Sequence, residues 1–92
     1  MSKSIIQYCD EPECYISGSR RNLDKHHCIH GRANRKIAEK YGLWVWLQHD
    51  IHMRLHDSDK ELDKELEQEA QRAFEKNHSR DEWMNLIGKN YL

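Results

Sequence analysis

Six of the chain's seven histidines lie within residues 26–56, so the side chains best suited to metal binding or proton transfer are concentrated in one region. His52 and His56 are four residues apart, and on a helix they would share one face and reach the same ion. A third imidazole from a neighbouring element would leave one coordination position open, as catalytic sites require. By itself, the pair also fits two solvated surface histidines.

The doublet His26–His27 stands in the stretch "LDKHHCIH", residues 23–30, whose first seven residues predict a short strand or extended segment. Neighbouring residues of a regular strand point to opposite faces. Both histidines therefore reach one site only if the strand is bulged or ends at the doublet. His30 and His49 lie nearby in the sequence, and we interpret them as outer neighbours of the site or as exposed side chains.

The rest of the chain carries signals for a turn, a loop, a second strand and four helices. The second strand, "LWVWL", is aromatic and β-branched, so we expect Trp44 and Trp46 to pack in the core, with base stacking as the alternative. Ser79 and Glu82 predict a capping box at the last helix. The predicted ranges are a turn at 16–22, a loop at 30–34, a strand at 43–47, and helices at 35–41, 49–56, 57–77 and 79–87, with Gly42 and Gly88 as helix ends.

This order predicts an α+β fold. Ninety-two residues are typical of one domain, which we divide into an N-terminal segment (1–22), a strand–strand–helix unit (23–56) and a helical extension (57–92). Apolar residues make up 37% and charged residues 34%, as expected of a soluble domain with a thin core. Since the sequence shows neither a membrane-length apolar run nor a signal peptide, we expect a cytoplasmic protein with reduced cysteines, in which Cys28 is a small core residue.

The net charge of −1 is unevenly distributed. Residues 1–56 carry nine basic and six acidic side chains, a balance of +3, whereas residues 57–92 carry six and ten, a balance of −4. The basic part falls at 18–40, and such a patch can meet phosphates even in a nearly neutral chain. The small total charge argues against strong nonspecific DNA binding.

The histidine doublet, the connecting segment, the second strand and the helix with H-x-x-x-H together resemble the HNH (ββα-metal) nuclease motif. The span from His27 to His52 and His56 closely resembles the three-histidine version found in bacterial DNase toxins. Most of the chain, from "SIIQ" through "NRKIAEKYGLWVWL" to "HSRDEWMNLIGKNYL", also resembles small HNH-like phage and prophage proteins of Gram-positive bacteria. The resemblance implies a core of two short antiparallel strands and a metal-bearing helix.

The same resemblance implies a role for each histidine of the motif. His26, His52 and His56 match the ligands of one divalent metal ion, with zinc expected as the bound ion and magnesium, manganese or nickel as ions that support activity. His27 matches the general base that activates water, a role suited to a neutral imidazole. Three basic residues of the connecting segment are expected to hold the flanking phosphates: Arg32, Arg35 and Lys36.

Two functions of different classes follow. The first is a metal-dependent HNH-type endonuclease or nickase of phage origin acting on DNA phosphodiesters. The alternative is a catalytically inactive, metal-stabilised phage protein that binds and inhibits a host defence nuclease, as anti-CRISPR proteins do. The nearly neutral charge and the acidic C-terminal half favour the alternative. A third hypothesis is noncatalytic DNA binding through residues 18–40.

Overall fold

The computed structural model describes residues 3–92, and within them two strands and four helices. Their order confirms an α+β fold. No helix of the described residues is both long and apolar enough to cross a membrane. The elements are β1 (Leu23–His27), α1 (Arg32–Tyr41), β2 (Trp44–Gln48), α2 (His49–Asp57), α3 (Lys60–Glu75) and α4 (Arg80–Ile87).

The two strands form an antiparallel pair in unbroken register, from Leu23 opposite Gln48 to His27 opposite Trp44. Helix α1 connects them, and α2 begins at the residue directly after β2. Because side chains alternate along a strand, Asp24 and His26 share the face of β1 that carries α2. The antiparallel strands and the helix that follows them are compatible with a small ββα fold.

The N-terminal segment, residues 3–15, covers the outer edge of β2. The Trp46 N–H donates to Gln7 Oε1 at 2.9 Å, and the Trp46 carbonyl accepts from the Tyr15 N–H at 2.8 Å. The Ser4 hydroxyl donates to the Trp44 carbonyl. The backbone groups of β2 that point away from β1 therefore have hydrogen-bond partners, as buried backbone polar groups require.

The hydrophobic core lies where α2, α3 and α4 pack beside the sheet. Trp83 of α4 is fully buried, and its indole Nε1 donates to the Lys89 carbonyl at 2.8 Å. Cys28 is buried in this core, as predicted, and the three cysteines are free thiols. Of the two tryptophans expected in the core, Trp44 is buried outside this cluster and Trp46 is only partly buried. The inward side of α3 carries Leu66, Ala70 and Phe74. Other members of this core are Ile29, Leu43, Val45, Leu47 and Leu55.

The predicted capping box is confirmed, because Ser79 Oγ accepts the Glu82 N–H and Glu82 Oε1 accepts the Ser79 N–H. The predicted start of α1 at residue 35 is wrong, since the helix begins at Arg32. Gly31, with φ 108°, turns the chain into the helix, and its carbonyl accepts the Arg35 N–H at 2.9 Å. Arg32 and Arg35 therefore lie in a first helical turn and not in a loop.

The predicted start of α3 at residue 57 is also wrong. This helix begins at Lys60, because the Asp59 side chain caps it by accepting the Leu62 N–H at 3.1 Å. A side-chain acceptor at this position satisfies a backbone N–H that has no partner within the helix. Residue 57 ends α2 instead, so the two helices are separated by a short turn.

We predict that Gly42→Ala is considerably more destabilising than Gly88→Ala. Both glycines end a helix in the left-handed region, with φ 74° and 82°, where an alanine costs about 1–2 kcal/mol. A Cβ at Gly42 would also collide with the backbone carbonyl of Lys3, whereas a Cβ at Gly88 meets open space. Urea unfolding of both variants measures the difference, and equal losses of unfolding free energy would contradict the prediction.

Candidate metal centre

Strand β1 presents two polar side chains, Asp24 and His26, to helix α2. His26 is only 2% exposed, and its Nε2 is buried with no hydrogen-bond partner among residues 3–92. Burial lowers the pKa of His26 to about 3, and the neighbouring histidines contribute in the same direction. The ring is therefore neutral at physiological pH and presents a nitrogen that lacks a partner, which is the state that binds a metal.

Helix α2 contributes the second and third imidazoles. His52 and His56 lie one turn apart, and their Nε2 atoms are 3.1 Å from each other. Burial lowers the pKa of His56, helped by the nearby His52, so this ring also favours the neutral form. His52 and His56 therefore share one face of α2, as their spacing in the sequence predicted.

The Asp24 carboxylate fixes the orientation of His52. Its Oδ2 accepts from His52 Nδ1 at 3.0 Å and from His49 Nδ1 at 2.7 Å, and these two hydrogen bonds hold the pKa of Asp24 below its usual value. Since Nδ1 of His52 carries the proton, Nε2 of the neutral ring carries the lone pair. Histidine ligands of metals are commonly held by a carboxylate in this way.

His26, His52 and His56 lie close enough to bind one metal ion, with their ligand nitrogens all within 4.8 Å of one another. Ligand bonds of 2.0–2.1 Å place two nitrogens of a tetrahedral ion about 3.3 Å apart, close to the separation of the His52 and His56 nitrogens. Imidazole is a suitable ligand for zinc, copper, iron and nickel. The three histidines are therefore compatible with any of these metals and do not identify one of them.

His27 lies on the other face of β1 and is the last residue of that strand. Its Nε2 donates to Glu39 Oε1 of α1 at 2.7 Å, and the Lys25 ammonium donates to the same carboxylate oxygen at 3.2 Å. The hydrogen bond from His27, followed by that from Lys25, lowers the pKa of Glu39. The structure thus separates the doublet, with His26 among the candidate ligands and His27 beside a carboxylate.

His26 and His27, although on opposite faces of β1, both line one open cavity of about 450 Å³. Arg32 and Arg35 line it, whereas Lys36 is exposed on α1 outside this lining. Within residues 3–92, neither of the two guanidinium groups has a hydrogen bond or an ion pair, so both are available to an anion. The cavity is also lined by Lys25, His26, His27, Ile29, His30, Gly31, His52 and His56.

The sequence analysis missed three side chains of this region. Asp24 could have been recognised, since a carboxylate two residues before His26 shares its strand face. Glu39 and the pair of His30 with Asp63 carry no such local signal, because each hydrogen bond joins elements that only the fold brings together. His49 is an outer neighbour of the site through Asp24.

The chain matches no protein-family model, no curated protein and no solved structure. The resemblance to HNH nucleases therefore stays a prediction from the sequence. What the structure contributes is the arrangement of the three histidines, the Asp24 carboxylate and the open cavity beside them.

We predict that Asp24→Ala weakens zinc binding by about 10-fold to 100-fold, the usual effect of losing a carboxylate that orients a histidine ligand. Asp50→Ala is the matched control, because Asp50 is an exposed aspartate at the start of the same helix α2. Competition of each variant with a chromophoric chelator measures the affinity. Equal affinities for the two variants would contradict the role given to Asp24.

We also predict that the metal-free protein loses stability as the pH falls from about 6.5 towards 3. The unfolded chain protonates His26 near its ordinary pKa of about 6.5, whereas the folded chain does so only at about 3, so acid favours unfolding in this window. Each proton that is taken up on unfolding lowers the free energy of unfolding by up to about 1.4 kcal/mol for every pH unit of acidification. Urea unfolding between about pH 7 and pH 4 should show a smaller slope for His26→Leu, and an unchanged slope would refute the prediction.

Proposed function

We propose that the protein is a metal-dependent endonuclease that nicks DNA. His26, His52 and His56 are the metal ligands of this proposal, and His27 is its general base. The observation that carries it is the gathering of three ligand nitrogens at an open cavity, whose rim has two guanidinium groups without a hydrogen bond or an ion pair among residues 3–92. The sequence resemblance to HNH nucleases points to the same chemistry.

The basic rim of the cavity favours a phosphodiester substrate. Arg32 and Arg35 lie in the first turn of α1, where the backbone N–H groups add a partial positive charge. Guanidinium groups bind phosphate oxygens in a bidentate manner. The two arginines would hold the phosphates on either side of the scissile bond, while the open shape of the cavity admits a polymer.

His27 is the residue of this cavity best placed to accept a proton from water. Because its Nε2–H donates to Glu39, the lone pair lies on Nδ1, and Nδ1 is the atom that would take the proton. The Glu39 carboxylate would then stabilise the imidazolium that forms, as the buried aspartate does in a serine protease triad. Lys25 keeps that carboxylate in place.

A bound divalent ion supplies Lewis-acid stabilisation of the charge that develops on the scissile phosphate and on the leaving oxygen. His26 and His52 would fix the ion at the inner wall of the cavity, because one is buried and the other is held by Asp24. His56, which is more exposed, closes the triad on the solvent side.

A second candidate is a metal-stabilised protein that inhibits a host nuclease. The acidic helix α3 favours it, since six acidic side chains stand against three basic ones in Lys60–Glu75. Such a surface could meet the basic nucleic-acid cleft of an enzyme. In this case, the ion would contribute to folding and His27 would be dispensable.

One experiment separates the two candidates. Supercoiled plasmid is incubated with the purified protein and magnesium, manganese, nickel or zinc, and the open-circular product is measured over time. We expect nicking by the wild type and a loss of about 100-fold or more in His27→Ala, the usual effect of removing a general base. Metal content, measured in the same samples, should be unchanged in His27→Ala.

Two control variants make the assay specific. His52→Ala should lose both the metal and the activity, whereas His78→Ala removes a histidine outside the cavity and should keep both. Wild-type protein that binds metal but nicks no faster than His27→Ala would overturn the nuclease proposal and favour the inhibitor. Protein that binds no metal would overturn both candidates.

A further inference from the structure

We propose that His30 is a fourth ligand of the metal centre and that Asp63 of helix α3 positions it. This inference rests on the proposed metal-dependent function, because His30 has a ligand role only when an ion is bound to the other three histidines. It adds a residue and a helix outside the strand–strand–helix unit to the site. It does not depend on whether the bound ion cleaves DNA.

The ring of His30 lies beside two of the three candidate ligands, His26 and His56, while the centroids of the three candidates are 4.8–5.9 Å apart. Its centroid is 5.8 Å from that of His26 and 6.0 Å from that of His56, whereas the centroids of His26 and His56 are 5.9 Å apart. His30 lines the same cavity as those two rings. His30 lies outside the group of ligand nitrogens that are all within 4.8 Å of one another, so its ring would have to move to bring a fourth imidazole nitrogen to the ion.

Asp63 holds His30 in the way that Asp24 holds His52. The Nε2 of His30 donates to Asp63 Oδ1 at 2.6 Å, so the lone pair of the neutral ring lies on Nδ1. His52 shows the reverse assignment, with Nδ1 bound to its carboxylate and Nε2 free for the ion. In both cases, one ring nitrogen is fixed by a carboxylate and the other is left as a donor, which is the usual pattern of metal-bound histidines.

The surroundings of His30 permit the movement that binding requires. Its side chain is 42% exposed, so the ring can turn without displacing the core. Helix α3 is tied to the site at a second point, since the Lys60 ammonium donates to the His56 carbonyl at 2.8 Å. Asp63 therefore lies in a turn of α3 that is already anchored beside the ligand-bearing helix α2.

A fourth imidazole changes what the ion can do. Four protein ligands fill the sphere of a tetrahedral ion such as zinc, as in closed structural sites. An ion with six ligands would keep two positions for water or phosphate. His30 would thus determine which ions leave the centre open to substrate.

The test uses the full chain loaded with cobalt(II), whose unpaired electrons shift the imidazole N–H proton resonances of its ligands far outside the ordinary range. We expect four such resonances in the wild type and three in His30→Ala, with four retained in His78→Ala. Competition with a chelator should show cobalt affinity reduced about tenfold or more in His30→Ala and in Asp63→Ala. Glu65→Ala, an exposed carboxylate of the same helix, should keep the wild-type affinity.

Rescue separates positioning by Asp63 from a merely structural effect. Asp63→Glu should restore most of the affinity, and Asp63→Asn should shift the His30 resonance while leaving the other three in place. Three resonances in the wild type, together with unchanged affinity in His30→Ala, would overturn this inference and leave the three-histidine centre intact. Absence of cobalt binding would overturn both, whereas cobalt-bound protein with four resonances and no nicking would overturn only the nuclease.

Discussion

The rest of the site depends on the buried Nε2 of His26, which has no hydrogen-bond partner among residues 3–92. An imidazole nitrogen buried without a hydrogen bond typically costs about 1–3 kcal/mol, a large amount for a domain with so small a core. The rings of His30, His52 and His56 lie around His26, and burial, followed by these neighbouring histidines, lowers its pKa, so protonation does not relieve this cost. A metal ion would satisfy this nitrogen together with those of His52 and His56, which lie close enough to bind the same ion. Folding and metal binding are therefore expected to stabilise each other.

Because side chains alternate along β1, the two histidines of the doublet have different surroundings. Asp24 and His26 face α2, while Lys25 and His27 face the other way and share the carboxylate of Glu39. His27 is thus hydrogen-bonded to a carboxylate, whereas the carboxylate on the side of His26 binds His49 and His52. The two sides meet at the cavity. Neither a bulge nor a distorted register is needed, because the strand ends at His27 and the chain then bends towards Gly31.

Local signals predicted most of the elements and the shared helix face of His52 and His56, since both follow from short-range spacing. The grouping of His26 with that pair was expected only from the resemblance to HNH nucleases, because His26 lies far from the pair in the sequence. A few neighbouring residues are enough to recognise the capping box, the glycine at the end of α1 and the H-x-x-x-H pair. The start of α1 was missed because Gly31 begins the helix without a side-chain cap, leaving no polar signal there. The hydrogen bonds of Glu39 and Asp63 could not be predicted, because their partners lie 12 and 33 residues away and meet only in the fold.

The N-terminal segment has a consequence for self-association. β2 is the more apolar of the two strands, and an uncovered apolar edge is a template for pairing with other chains and for aggregation. Gln7, Ser4 and Tyr15 occupy that edge with one side-chain acceptor, one hydroxyl and one backbone donor. The other edge of the sheet is formed by β1, whose lysine and histidines disfavour pairing with a strand of another chain. The polar strand that carries His26 is therefore also the less favourable of the two strands for pairing between chains.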